Sequence, residues 1–192
     1  MNDFEYHKYL LTRSLIGKTY RNFYLYPRIN KYTKGKILDV GCGIGDYLSF
    51  NKNAIGTDIN KYNIDYLRNK KMHVILMEKD KLPFNNNKFD SILLDNVIEH
   101  IISPEKLISE LVRVSKNNAY LIVGVPGLKG YKRDPDHKVF YTRDNLNNLF
   151  KNYGYASTKT LYFPFRFPFL SANLSSYSIF CVYKLNKNPN TI

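Results

Sequence analysis

The chain has 192 residues, enough for one domain with a sizeable core and too few for two ordinary domains. Hydrophobic residues make up 44% of it and aromatic residues 15%, a composition that excludes an intrinsically disordered protein. The longest apolar run, residues 119–125, is too short to span a membrane, and the first residues lack the apolar stretch of a signal peptide. Two cysteines with no framework spacing also favour a reduced, cytoplasmic protein.

The formal net charge of +13 could draw the protein to nucleic acid, to anionic lipid headgroups or to a phosphorylated small molecule. The basic residues are spread along the chain without a dense tract, and Lys, Asn, Ile and Tyr are frequent throughout, so composition alone could also explain the charge. This spread favours an anionic small molecule or a lipid surface over nucleic acid as the partner. It leaves the oligomeric state open.

The order of predicted elements indicates the fold class. Residues 3–17 have apolar side chains at helical spacing, and an aromatic segment follows to Pro27. Helices are then predicted after the first strand to about residue 50 and at 61–69, 104–114 and 142–154. Strands are predicted at residues 36–40, 54–59, 72–78, 89–95, 119–125, 158–163 and 177–185. The alternation predicts an α/β fold with a mostly parallel, doubly wound sheet covered on both faces, closed by an antiparallel C-terminal hairpin.

Three glycines, Gly41, Gly43 and Gly45, follow the first strand at every second position. Ligands of doubly wound sheets bind beyond the carboxyl ends of the strands, and glycine there allows positive φ and close approach to bare backbone. A tight strand-to-helix connection is the alternative explanation of such a loop. The pattern alone does not separate the two.

Asp58 ends the second strand, thirteen residues after Gly45, where a carboxylate can accept hydrogen bonds from ribose hydroxyls. A dinucleotide fingerprint requires G-x-G-x-x-G with the acid about 20 residues further on. Position 46 is an aspartate, and no phosphate-loop motif is present. The glycines are therefore not expected to hold a pyrophosphate.

Four segments in succession, DVGCGIG, TDIN, EKDKLPF and FDSILLDNVIEH, resemble the motifs of class I S-adenosylmethionine-dependent methyltransferases of the small, type 11 kind. The resemblance covers about residues 35–127. It implies a Rossmann-like sheet, S-adenosylmethionine as the cofactor and methyltransferase activity. Within a single domain over 1–192, it implies an N-terminal cap (1–34), a cofactor-binding core (35–127) and a substrate-side segment (128–192).

The same resemblance implies which residues hold the methionine and ribose parts of the cofactor. Asp39 and the glycine loop would contact the methionine part, and Asp58 would hold the ribose. An acid before the loop suits a ligand that carries a sulfonium cation and no phosphate. The loop residues implied are Gly41, Cys42, Gly43 and Gly45.

The adenine end is implied by the later motifs. Ile59 would lie against the adenine, and Asp80 matches the acid that meets its amino group. Lys81 and Leu82 would add backbone and apolar contact, and Asn96 would line the sulfonium region.

A sulfonium is already activated, so such an enzyme mainly has to align nucleophile, methyl group and sulfur. A base is needed when the nucleophile is a hydroxyl, a carbon acid or a protonated amine. The candidates are His137, His100 and Asp95, although His100 could equally be structural or line the cofactor. A metal site built from these residues with Glu99 and Asp136 is conceivable, but no spacing requires one, and we predict none.

The acceptor is indicated only by segments outside the shared motifs. Residues 6–29 and 163–174 are aromatic with interspersed arginines, and they would cap the substrate pocket or simply pack in the core. If Arg21, Arg133 or Arg166 faced that pocket, the substrate would carry a phosphate or carboxylate. The chain reads DNVIEH where methyltransferases acting on base amino groups have an N-P-P-Y type tetrapeptide.

We therefore predict methylation of a small molecule by in-line displacement. The expected nucleophile is a hydroxyl of a sugar, a glycolipid or another metabolite. The alternatives are an RNA or protein methyltransferase, or a non-catalytic cofactor-binding subunit that supports a partner.

Overall fold

The computed structural model describes residues 1–167 and 169–187. Its centre is a seven-stranded sheet in the order β3-β2-β1-β4-β5-β7-β6, in which β1 to β5 are parallel and β7 runs antiparallel to both of its neighbours. The strands are β1 Ile37–Val40, β2 Ile55–Asp58, β3 Val74–Leu76, β4 Phe89–Asp95, β5 Ser115–Pro126, β6 Tyr155–Phe163 and β7 Ser178–Leu185. This confirms the predicted Rossmann-like, doubly wound sheet with an antiparallel C-terminal hairpin.

Helices surround this sheet. The α-helices are α1 Asp3–Leu11, α2 Leu15–Tyr20, α3 Tyr26–Ile29, α4 Asp46–Phe50, α5 Lys61–Asn69, α6 Glu105–Val114, α7 Leu128–Arg133, α8 Arg143–Lys151 and α9 Leu170–Asn173. A π-helical turn, Arg21–Leu25, joins α2 to α3, and a 3-10 turn, Ile98–His100, follows β4. Within the described residues, no helix combines the length and apolar character that a membrane crossing requires.

The N-terminal cap differs from its prediction as one helix over residues 3–17. The helix breaks before Ser14, whose side chain accepts a hydrogen bond from the Gly17 amide at 3.1 Å and so starts a second helix. Gly17 therefore lies inside α2 and does not end a helix. The physical reason is that a serine at an N-cap satisfies backbone donors that the first turn of a helix leaves unpaired.

Two apolar layers hold the sheet. One face packs against α6, whose Leu107, Ile108, Leu111 and Val114 are all buried. The other face packs against α4, α5 and the cap, from which Leu25, Tyr26 and Ile29 are buried. Part of the N-terminal cap therefore belongs to the hydrophobic core, which was the alternative to a role in covering the substrate pocket. Of the aromatic segment at 163–174, Pro168 lies outside the described residues, as do residues 188–192 of the predicted substrate-side segment.

The carboxyl ends of β1, β2 and β4 lie side by side, because these strands are parallel neighbours. Each ends in a segment with unusual backbone. Gly41, Gly43 and Gly45 have positive φ after β1, and Asn96 has φ of 57° directly after β4. Sharp turns at this edge bring the chain back over the sheet and open the space above it.

Candidate active site

A cavity of about 960 Å³ lies above the carboxyl ends of β1, β2 and β4, between the sheet and the N-terminal cap. Ten of the fourteen predicted site residues line it: Asp39, Gly41, Cys42, Gly43, Asp58, Ile59, Asp80, Asp95, Asn96 and His100. The other four do not contribute to its wall: Gly45, Lys81, Leu82 and His137. The cavity therefore joins most of the implied cofactor residues to two of the three candidate bases, Asp95 and His100.

The glycine loop is held by the strand beside it. The amides of Gly41 and Cys42 both donate to the carbonyl oxygen of Thr57, at 2.8 and 3.0 Å. A Cβ on Gly41 would lie 2.5 Å from Val97 Cγ2, and φ of +70° is also unfavourable for any other residue. The fold therefore requires glycine at position 41, and this residue lines the cavity.

Gly45 has a different role from the one implied by the resemblance. It precedes α4, and a Cβ there would lie 2.6 Å from Leu67 Cδ2. It allows α4 to approach α5 closely. Its contribution to the site is therefore to place the loop, since it does not face the cavity.

Asp58 and the loop are connected directly. The Gly43 amide donates to Asp58 Oδ2 at 2.8 Å, and the Asn60 amide donates to Asp58 Oδ1 at 2.8 Å. Burial raises the pKa of Asp58, while these hydrogen bonds act to lower it. Asn63 Nδ2 adds a longer bond to Oδ2 at 3.4 Å, so of about four lone-pair positions on the carboxylate one remains for a hydroxyl in the cavity.

Asp39 is the second acid at this end, and its side chain is 3% exposed. Burial raises the pKa of Asp39 well above its usual range, and the nearby acids Asp95 and Asp58 raise it further. A cation placed in the cavity would offset this cost. The buried acids and the exposed loop backbone therefore fit a ligand with positive charge and ribose hydroxyls, which is the chemistry of S-adenosylmethionine.

The adenine end agrees with the implied set only in part. Ile59 is 56% exposed and Asp80 has φ of +57°, and both line the cavity. Leu82 is instead buried in the core with its amide bonded to Glu110 Oε2 at 2.8 Å. The exposed Lys81 side chain lies 3.7 Å from Glu78 and does not line the cavity.

Asp95, at the carboxyl end of β4 beside β1, is occupied by partners. Arg21 Nη1 lies 2.7 Å from Asp95 Oδ2, to which the Tyr26 hydroxyl also donates at 3.2 Å. Asn96 Nδ2 donates to the other carboxylate oxygen at 2.7 Å. A carboxylate held in this way is suited to fix the cap onto β4. It is poorly placed to accept a proton from a substrate.

Of the three arginines expected to mark an anionic substrate, only one lines the cavity. Arg21 lines the cavity but is paired with Asp95. Arg133 lies 3.5 Å from the Ser175 hydroxyl, and Arg166 lines a separate surface pocket beside β6. The Arg21 ion pair has no signal in the sequence, because its partners are 74 positions apart and no local pattern joins them.

The two histidines lie together with Glu99. The rings of His100 and His137 meet edge to face with centroids 4.7 Å apart, and His137 Nε2 lies 3.8 Å from Glu99 Oε1. His100 lines the cavity, whereas His137 lies behind it and contacts the carbonyl oxygen of Tyr131 through Nδ1 at 2.9 Å. Burial, and then His137, lower the pKa of His100, and burial raises the pKa of Glu99 to about 8.

A family model described as a methyltransferase domain matches residues 38–123. Two solved structures have the same fold. A SAM-dependent methyltransferase from Archaeoglobus fulgidus superposes with a TM-score of 0.71 at 19% identity over 94% of this chain and 98% of that chain. A possible histamine N-methyltransferase from Thermotoga maritima superposes with a TM-score of 0.72 at 19% identity over 94% and 95% of the two chains.

Curated relatives match over shorter stretches. Uncharacterized protein MJ1123 from Methanocaldococcus jannaschii is 33% identical over 92 residues, which are 48% of this chain and 45% of that protein. The tRNA (carboxymethyluridine(34)-5-O)-methyltransferase alkbh8 of Xenopus tropicalis is 30% identical over 120 residues, 57% of this chain and 19% of that protein. Probable tRNA methyltransferase 9B of Mus musculus is 28% identical over 110 residues, 52% of this chain and 25% of that protein. The chain therefore spans less than half the length of these relatives.

The fold and the family match together define the class of protein. Residues 38–123 form a methyltransferase domain of the class I S-adenosylmethionine-dependent kind, which confirms the resemblance found in the sequence. The family and the fold imply S-adenosylmethionine as the cofactor.

Proposed function

We propose that the protein transfers a methyl group from S-adenosylmethionine to a hydroxyl of a small molecule such as a sugar, a glycolipid headgroup or another metabolite. One observation carries the proposal. The glycine loop, Asp39, Asp58 and His100 all line a single cavity. This arrangement brings a cationic methyl donor and a proton acceptor to the same enclosed space.

The implied cofactor residues hold the donor. Asp58 binds the ribose hydroxyls, Asp39 faces the positively charged methionine part, and Ile59 and Asp80 contact the adenine. When bound, S-adenosylmethionine supplies a methyl group on a good leaving group, so alignment accounts for much of the rate. The loop supports that alignment because its backbone is fixed by Thr57 and Asp58.

His100 acts on the acceptor. Its lowered pKa keeps the imidazole neutral near pH 7, the state that can accept a hydroxyl proton. His100 would accept the proton of the acceptor hydroxyl, while the cofactor would supply the methyl group that replaces this proton on the oxygen. His137 and Glu99 position His100 from behind, and the Arg21–Asp95 pair fixes the neighbouring wall.

RNA is the second candidate acceptor. Two of the relatives are named tRNA methyltransferases, and four basic side chains line the cavity besides the paired Arg21, namely Arg13, Lys79, Lys106 and Lys138. The net charge of +13 would favour a polyanion. Affinity for RNA that falls steeply with salt would support this alternative.

The test uses S-adenosylmethionine with a labelled methyl group and cell extract separated into small metabolites, lipids, polysaccharide and RNA. We expect label in the metabolite, lipid or polysaccharide fraction. Label in RNA alone would replace the proposal by the second candidate. Cofactor binding without label in any fraction would indicate a non-catalytic cofactor-binding subunit.

A further inference from the structure

We propose that Glu99, His100 and His137 bind a divalent first-row transition-metal ion. One ligand atom from each of the three residues lies within 4.8 Å of the other two. Two imidazoles and one carboxylate form a donor set found in zinc and iron(II) sites, whereas magnesium and calcium prefer oxygen ligands. Binding of the ion does not depend on the proposed methyl transfer and can be measured without it.

The Glu99 carboxylate is the first observation that points to a ligand. The residue is 1% exposed, and within the described chain neither carboxylate oxygen has a hydrogen-bond partner. Buried polar atoms are almost always paired, because leaving a polar group unpaired out of water is costly. Only a backbone interaction anchors the residue, since the amides of Lys138 and Val139 donate to its carbonyl oxygen at 2.8 and 3.0 Å. A metal ion bound to the Glu99 side chain would supply the partner that its two oxygens lack.

The orientation of His137 is the second observation. Its Nδ1 lies 2.9 Å from the Tyr131 carbonyl oxygen, which can only accept, so Nδ1 carries the hydrogen in the neutral ring. Nε2 therefore presents a lone pair toward Glu99 Oε1, 3.8 Å away. That distance is too long for a hydrogen bond. It is one that two bonds of about 2.0 to 2.2 Å to a shared ion can span.

His100 follows the same pattern. Its Nδ1 lies 3.2 Å from Asp136 Oδ2, which leaves Nε2 as the nitrogen available to an ion. Histidines that bind metals usually donate their other ring N–H to a carboxylate or a backbone carbonyl, and here both histidines have such a partner. Loop 134–138 supplies Asp136 and His137 itself, while Tyr131 belongs to α7, and the Lys138 amide fixes the loop to the Glu99 carbonyl oxygen.

The charges around the cluster favour a dication. Besides Glu99, Asp134 Oδ2 lies 4.0 Å from His137 Nε2, and Asp136 adds a second carboxylate. Lys138 Nζ lies 3.4 Å from Asp136 Oδ1 and balances that outer acid. Three carboxylates therefore surround two imidazoles, with one lysine at the rim.

The position of the cluster indicates what the ion would do. The His100 side chain is 17% exposed and lines the cavity, so the ion would lie at the acceptor end with positions open to an acceptor oxygen. A bound dication lowers the pKa of a coordinated hydroxyl and would promote loss of its proton, which would replace direct proton transfer to a metal-free His100. This consequence, unlike binding itself, rests on the proposed function.

The experiment titrates cobalt(II) chloride into the full chain, prepared without an affinity tag and treated with chelator. Visible absorption of the ion reports nitrogen and oxygen coordination, and circular dichroism reports folding. We expect one equivalent to bind, zinc(II) to displace it, and magnesium(II) to have no effect. Glu99→Gln and His137→Gln should weaken cobalt binding by more than the 10- to 100-fold that is typical of outer-shell changes.

The matched control is His73→Ala, which removes an exposed imidazole outside the cluster and should bind cobalt as the wild type does. If Glu99→Gln does not fold, His100→Gln makes the same comparison at a partly exposed ligand. No stoichiometric binding by the wild type, or equal binding by the folded variants, would overturn the proposal. S-adenosylmethionine binding measured on the same samples separates failure of the metal site from failure of the proposed function.

Discussion

The two ends of the cavity are built in different ways. The cofactor end is made of backbone and two acids from neighbouring segments, residues 39–45 and 57–60. The acceptor end is made of side chains from distant segments, with Arg21 against Asp95, and Glu99 and His100 against His137. The cofactor end is therefore sensitive to an added side-chain atom, whereas the acceptor end is sensitive to the loss of a charge or of a ring nitrogen.

The largest effect is expected where the acceptor end joins the cap. Arg21→Met leaves the part-buried Asp95 without its cation and should cost about 3 kcal/mol of unfolding free energy, the lower end of the range for buried pairs, because Tyr26 and Asn96 still bond Asp95. Adding Asp95→Asn should recover part of this loss. Arg13→Met removes a 2.9 Å pair with Asp46 at a more exposed position and should cost no more than about 1 kcal/mol. Urea unfolding measures both losses, and equal losses in Arg21→Met and Arg13→Met would contradict the expected difference between the two ion pairs.

A smaller effect is expected from the ring that faces the acceptor. His100→Ala should lower turnover by about 100-fold, since it removes the group nearest the reacting oxygen, and should leave cofactor affinity within about twofold. His137→Ala should act in the same direction through His100. Kinetics with the identified acceptor, together with calorimetry, measure both quantities. Undiminished turnover in His100→Ala would remove it from the chemistry.

The backbone of the cofactor end can be tested by adding one methyl group. Gly43→Ala meets its nearest atom, in Leu10, at 3.4 Å, so only the φ of +53° opposes it, at about 1–2 kcal/mol. Gly41→Ala has the same kind of strain and also meets Val97 at 2.5 Å, so it should cost more. Truncating Val97 to alanine should recover the difference. Urea unfolding measures the loss of stability in each variant. Equal losses in Gly41→Ala and Gly43→Ala would mean that the loop moves to relieve the contact with Val97.

The smallest expected effect is the pH dependence of cofactor binding. Because burial raises the pKa of Asp39, its protonated form persists in the free protein at mildly acidic pH. A cationic ligand favours the carboxylate, so affinity should rise from acidic to neutral pH with release of a proton. Asp39→Asn should flatten this profile. Calorimetry in buffers of different ionisation enthalpy detects the proton, and a profile unchanged by the substitution would contradict the role of Asp39.

The sequence predicts the cofactor end of the cavity better than the acceptor end. The sheet and the cofactor end were predictable because strand periodicity and the Gly41–Gly45 motif are local signals. Leu82 was placed at the cofactor by its motif, but the structure buries it, because an apolar residue beside α6 is drawn into the core. The break before Ser14 was missed because apolar spacing continues across it.

The acceptor end could not be read from the sequence. Arg21 meets Asp95, and His137 comes behind His100, only once the cap and loop 134–138 fold over β4. Sequence spacing carries no information about such contacts. The unpaired oxygens of Glu99 are visible only when its surroundings are known.

The central claim is that the glycine loop and Asp58 hold S-adenosylmethionine. Calorimetric titration of the full chain with S-adenosylmethionine and with its demethylated product tests this most directly. We expect saturable one-to-one binding by the wild type, weakened about 10- to 100-fold in Asp58→Ala through loss of hydrogen bonds to a charged group. Absence of binding to the folded wild type, or undiminished binding in Asp58→Ala, would contradict the account.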